Sequence, residues 1–214
     1  MNKQEIQESV VMTDREVIER VLNGEKEHYA ILVRRNNQRL YRAAMAILDN
    51  DADVEDAMQT AYVHAYENLG KFGFRSGFST WLTRILINEC LLLKKKRAKF
   101  TELKPGHMEN GMQHQSTAPA ARVLRAELGA ILEKAIRKLP EKYRTVFVLR
   151  ELEDMNVKET QVCLDISEEN VKVRLNRARA MLKTELAGYY NKEDIFHFHL
   201  DRCDRLVNAV MRNI

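Results

Sequence analysis

Residues 157–182 read VKETQVCLDISEENVKVRLNRARAML, and two helical patterns meet in this stretch across three residues. Val157 to Leu164 has the length of a short helix, Asp165-Ile166-Ser167 makes a tight turn, and Glu168 to about Leu186 forms a longer helix that Ser167 can cap. In the longer helix Val171, Leu175, Ala178 and Leu182 fall on one face. Glu169, Asn170, Lys172, Arg174, Arg177 and Arg179 are left facing outward, a set able to meet base edges and phosphates. A short helix bracing a longer one across such a turn is helix-turn-helix spacing, which can place the second helix in a major groove.

Upstream of this stretch the helical signal continues. Leu128, Ile131, Leu132, Ala135, Ile136 and Leu139 are in register from about Arg122, and Pro140, at the N1 position, starts a helix from Glu141 to about Glu151. Between Thr101 and Ala121 the periodicity stops and Pro105, Gly106, Gly111 and Pro119 gather among polar residues, which predicts a flexible linker. The expected organisation is therefore all-α: a first small helical domain over 1–100, a linker over 101–121, a second over 122–186 and an amphipathic helical tail over 187–214.

The first block has its own punctuation. Thr13-Asp14-Arg15-Glu16 reads as a capping box for a helix that Gly24 ends, and a longer helix is expected from Glu27 to Leu48. The acidic run from Asp49 to Asp53 supplies an N-cap for a third helix, and Ser79 or Thr80 is expected to cap a fourth that runs towards Lys99. Between the last two lies Lys71-Phe72-Gly73-Phe74-Arg75-Ser76-Gly77-Phe78, a loop that mixes aromatic rings and cations. Single-strand binding needs that mixture, because rings stack on bases and cations hold phosphates.

Composition agrees with this plan. The 214 residues are 45% hydrophobic and 31% charged, with only 8 Gly and 3 Pro, which favours packed helices over strands. A net charge of +4 permits nucleic-acid contact without demanding it. Three scattered cysteines suggest neither a disulfide framework nor a zinc ribbon, in keeping with a reducing cytoplasm. No apolar leader and no run long enough to span a membrane is present, so no membrane insertion is expected.

Taken in order, Asp53 to Gln59, Phe74 to Leu82 and Arg84 to Leu91 resemble region 2 of the sigma-70 family. Leu139 to Arg150 and Val171 to Arg179 resemble region 4, and the short linker between them is similar to that of the extracytoplasmic-function (ECF) subgroup. The resemblance implies an initiation subunit that binds bacterial core RNA polymerase through its β′ clamp and β flap, and that carries out no covalent chemistry. Asp53, Glu55, Asp56 and Gln59 would dock on the clamp. Lys71, Phe72, Arg75, Phe78, Ser79, Thr80, Trp81, Arg84, Asn88 and Arg97 would take the minus-10 element of promoter DNA, and the outward face of the 168–186 helix the minus-35 element. An anti-sigma factor is a further expected partner. The chain departs from the family pattern at Val157, Thr160 and Gln161, and Asp165 stands where the turn usually has Gly.

Rival readings are a helix-turn-helix regulator working without polymerase and an enzyme acting on nucleic acid. The first leaves the acidic face and aromatic loop of the first block without a role, and the second lacks an acid, base or nucleophile cluster. His197, His199 and Cys203 could suggest a metal site, but Cys203 falls on the apolar stripe of the tail with Leu200 and Val207, so neither metal nor cofactor is expected.

Overall fold

The computed structural model describes residues 12–101, 120–187 and 211, and every regular element among them is helical. Helix α1 (Asp14–Leu22) begins with the expected capping box: the Thr13 amide donates to Glu16 Oε2 at 2.6 Å, and the Glu16 amide donates to Thr13 Oγ1 at 3.3 Å. Asn23 caps its other end, and Gly24 follows at φ 101°, where a side chain would be strained. A short 3-10 turn (Lys26–His28) then delays the second helix, so α2 spans Tyr29–Met45. Asn50 caps α3 (Asp51–Glu67) by accepting the Asp53 amide at 2.9 Å.

Helix α4 spans Phe78–Thr101 and starts before the residues expected to cap it. The Gly77 carbonyl accepts the Thr80 and Trp81 amides instead, and the hydroxyls of Ser79 and Thr80 engage other elements. These helices close on a core in which Val17, Ile18, Leu32, Leu40, Val54, Leu82 and Leu86 are fully buried.

In the second domain α5 spans Ala120–Arg137, so the helices extend slightly into both ends of the expected linker, whose residues 102–119 lie outside the described ones. Pro140 is the N-cap rather than the first residue of α6 (Glu141–Phe147), with an extended ψ of 137°. The helix then widens into a π turn over Val148–Leu152, closed by the Glu153 amide donating to the Val148 carbonyl at 3.1 Å. Helices α7 (Val157–Leu164) and α8 (Glu168–Ala187) form the helix-turn-helix. Ser167 caps α8 through the Asn170 amide at 3.3 Å, and Val146, Val171 and Leu175 fill the angle between the helices. The tail beyond Ala187, apart from Met211, lies outside the described residues, and with it His197, His199 and Cys203.

Asp165 adopts φ 52° and ψ 50°, the left-handed turn that glycine makes without strain. A short polar side chain tolerates this region better than a branched one. Asn156 opens the same short helix with a second capping box, made with Glu159. The departures from the family pattern therefore leave the turn intact.

The two domains pack together, which the linker composition did not lead us to expect. Leu149, Met155 and Cys163 of the second domain belong to the same buried cluster as Leu40, Leu82 and Leu86 of the first. Arg144, only 8% exposed, donates to the Ala46 carbonyl at 2.8 Å and so caps the C-terminal end of α2 from the other domain. Thr145 Oγ1 reaches the same carbonyl at 3.4 Å.

Replacing Asp165 tests the turn. Asp165→Gly is expected to leave unfolding free energy within about 0.5 kcal/mol, whereas Asp165→Val should lower it by about 1 to 2 kcal/mol. Urea titrations giving the same midpoint for both variants would contradict the backbone argument.

Candidate nucleic-acid and polymerase interfaces

The loop between α3 and α4 is built on aromatic packing. The Phe72 ring lies 4.7 Å from Phe74, 5.7 Å from Phe78 and 5.0 Å from Trp81, centroid to centroid. Phe72 and Phe78 are buried, so their rings hold the loop in place rather than face solvent, while Trp81 is half-buried at its edge. Phe74 is the exposed ring of the group, and its backbone has φ 52°, a conformation that a bulky residue keeps only under constraint. The Arg15 guanidinium lies 4.2 Å from its centroid. Sequence reasoning left Phe74 out of the candidate residues; only the fold separates the presented ring from the supporting ones.

The polar residues expected to take the minus-10 element divide into two groups. Arg75, Arg84 and Asn88 are exposed, as is Lys71, which donates to Asn68 Oδ1 at 2.9 Å. Ser79 and Thr80 instead face other protein groups: Ser79 Oγ accepts from Arg39 at 2.9 Å, and buried Thr80 donates to Glu159 Oε1 at 3.2 Å. Cys163 Sγ donates to the Thr80 carbonyl at 3.3 Å, and burial pushes that thiol up to about 12. Arg84 borders an open groove with Gln161, Asp165 and Ser167 of the second domain. The second domain thus covers part of the face expected to take the minus-10 element.

On α3, Glu55, Asp56 and Gln59 are exposed along one acidic face. Asp53 is not part of it: its carboxylate is nearly buried, accepts from Asn50 Nδ2 at 2.7 Å and is paired with Arg97 from α4. Arg97 therefore ties two helices together, a structural role that its place in a basic helix end concealed.

Along α8 the inward face matches the sequence reading, with Val171, Leu175, Ala178 and Leu182 buried. Glu169, Asn170 and Lys172 are exposed near its start, and Arg174 is half-buried one turn on. Hydrogen bonds from its own amide and from Ser167 hold the Glu169 carboxyl below the usual range. Arg177 donates to the Tyr143 hydroxyl at 3.3 Å and lowers that phenol's pKa, while Arg179 pairs with Glu151 at 2.7 Å. These two arginines are oriented by the domain's own surface.

Comparisons with known proteins identify both helical blocks. Residues 32–100 match the model of sigma-70 region 2, and residues 129–182 that of sigma-70 region 4. The ECF RNA polymerase sigma factor SigW of Bacillus subtilis is 32% identical over 176 residues, covering 79% of this chain and 94% of that protein. The ECF RNA polymerase sigma-E factor of Escherichia coli K12 is 29% identical, covering 82% and 95%. Among solved structures, CnrH in complex with the cytosolic domain of CnrY is similar at TM-score 0.57 and 27% identity, covering 82% of this chain and 97% of that one. The sigma factor RpoE in complex with the anti-sigma factor NepR from Bartonella quintana shares the fold at TM-score 0.62 and 19% identity, covering 72% and 94%. The chain belongs to the ECF RNA polymerase sigma factors. A regulator working without polymerase would leave the whole region 2 match without a use.

Because Arg97 neutralises a nearly buried carboxylate, Arg97→Gln is expected to cost about 2 kcal/mol of folding stability. The neighbouring exposed Lys95→Gln should cost almost nothing. Equal denaturation midpoints for the two variants would remove the structural role assigned to Arg97.

Proposed function

We propose that this chain docks on core RNA polymerase, holds the minus-35 element with α8 and opens the promoter by trapping the minus-10 strand in the loop before α4. The observation that carries the reading is the coincidence, within one domain, of the exposed acidic face at Glu55, Asp56 and Gln59 and the exposed Phe74 beside half-buried Trp81. The acidic face suits a basic partner helix, and the rings give unstacked bases a platform.

Opening by this route needs no nucleotide hydrolysis. Unstacking a base costs a few kcal/mol, and stacking on the protein is worth about 1 to 3 kcal/mol per base, so binding energy can drive melting. The chain accordingly performs no covalent chemistry and acts in the cytoplasm, where polymerase and promoter are. Among the described residues no helix is long and apolar enough to cross a membrane. An anti-sigma factor is a further expected partner: the RpoE structure that shares this fold is a complex with the anti-sigma factor NepR, and the similar CnrH is bound to the cytosolic domain of CnrY.

Reconstitution with core polymerase and fork-junction DNA tests the reading. Permanganate footprinting should reveal an open complex at a selected promoter, and its absence at every promoter tried would overturn the proposal. Trp81→Ala is expected to reduce opening about tenfold, through lost stacking, while leaving duplex binding nearly unchanged. Arg174→Ala should instead weaken minus-35 duplex binding by about 1 to 3 kcal/mol, and unaltered affinity would exclude that contact.

A further inference from the structure

Two arginines of α2 converge on one carboxylate of the other domain. Arg39 Nε lies 3.4 Å from Glu153 Oε2, Arg42 Nη1 lies 3.0 Å from Glu153 Oε1, and Arg39 Nη2 also donates to the Glu153 carbonyl at 3.0 Å. The Glu153 side chain is 7% exposed, whereas those of Arg39 and Arg42 are 31% and 46% exposed. The arginines thus line the surface of the first domain, and the carboxylate is the group brought to them.

The third member of this cluster is Ser79, whose hydroxyl accepts from Arg39 at 2.9 Å. Ser79 stands in the first turn of α4, directly before buried Thr80 and half-buried Trp81. The guanidinium forks and the hydroxyl form a donor set that suits an oxyanion, carboxylate or phosphate. On the side facing them, the second domain presents Glu153 and Glu159, the latter accepting from the Thr80 hydroxyl at 3.2 Å. Acidic groups therefore cover the surface beside the strand-trapping loop, where a nucleic-acid backbone would otherwise bring its own negative charge.

We propose that Arg39, Arg42 and Ser79 form a binding site for a backbone phosphate of the melted promoter strand, and that Glu153 occupies this site as a carboxylate surrogate until the two domains part. The inference rests on strand capture by the first domain, as set out above, and adds the site and its internal competitor. Two further contacts hold the closed arrangement: Met155 enters the core of the first domain two residues after Glu153, and Lys94 of α4 pairs with Glu141 of α6. Parting the domains returns Glu153 to water and frees both arginines at once, so opening and phosphate binding are a single equilibrium. Cys163, buried against Thr80, reports that equilibrium directly.

The experiment uses the full chain, a fluorescein-labelled single-stranded oligonucleotide of mixed sequence, and mass-spectrometric mapping of Cys163 alkylation. Glu153→Gln should speed Cys163 alkylation and tighten oligonucleotide binding about tenfold, by raising the population of the open form. Adding Arg39→Gln and Arg42→Gln to that variant should abolish the gain and reduce the salt dependence of binding by about 0.7 per lost phosphate contact. Circular dichroism of each variant verifies the fold, and Arg39→Lys with Arg42→Lys, which keeps the charges, should recover part of the gain. Unchanged alkylation and affinity in Glu153→Gln would overturn the latch. Faster alkylation without tighter binding, or a gain that survives loss of both arginines, would overturn the phosphate site. If every form, wild type included, failed both to bind the oligonucleotide and to form an open complex with polymerase, the underlying reading of strand capture would fall as well.

Discussion

Glu153 lies almost out of water between Arg39 and Arg42, and a carboxylate in that position has to be paired. Its partners belong to the other domain, so this one requirement fixes how the two halves of the chain sit together. Around it, Leu149, Met155 and Cys163 leave water by entering a core that already contains Leu40, Leu82 and Leu86. Arg144 adds a cap on the buried C-terminal end of α2, where the last carbonyls lack helical partners. Apolar burial supplies the attraction, and the polar contacts make it specific to one orientation.

That orientation shapes how the two interfaces can be used. The acidic face at Glu55, Asp56 and Gln59 stays exposed, as does Phe74, while Thr80 is covered by α7. On the reading proposed here the polymerase-docking face is available in the closed chain, and part of the strand-binding face is not. Docking and promoter capture can then occur in sequence, with domain separation between them.

Several structural details were legible from residue types alone. The capping box at Thr13 and Glu16, the stop at Gly24 and the Ser167 cap all follow from contacts within a few residues of each other. Local rules sufficed there because the partners are neighbours in the chain. They failed at Ser79 and Thr80, good capping residues whose hydroxyls bond to Arg39 and Glu159, the latter 79 positions away. They also failed at Asp53 and Arg97, which look like surface charges in their own helices and meet only when α3 and α4 pack.

The sequence by itself determined an all-helical chain with two blocks and the inward face of α8, because periodicity and capping are short-range properties of the chain, while the family followed from motifs that stand in the same order in both blocks. The tertiary structure alone decided which loop ring is presented, which charges are structural, and that the second domain lies over part of the first. These depend on groups as far apart as Arg39 and Glu153, 114 residues distant. Whether such charges face water or each other is set by the packing of their helices, which no local pattern encodes.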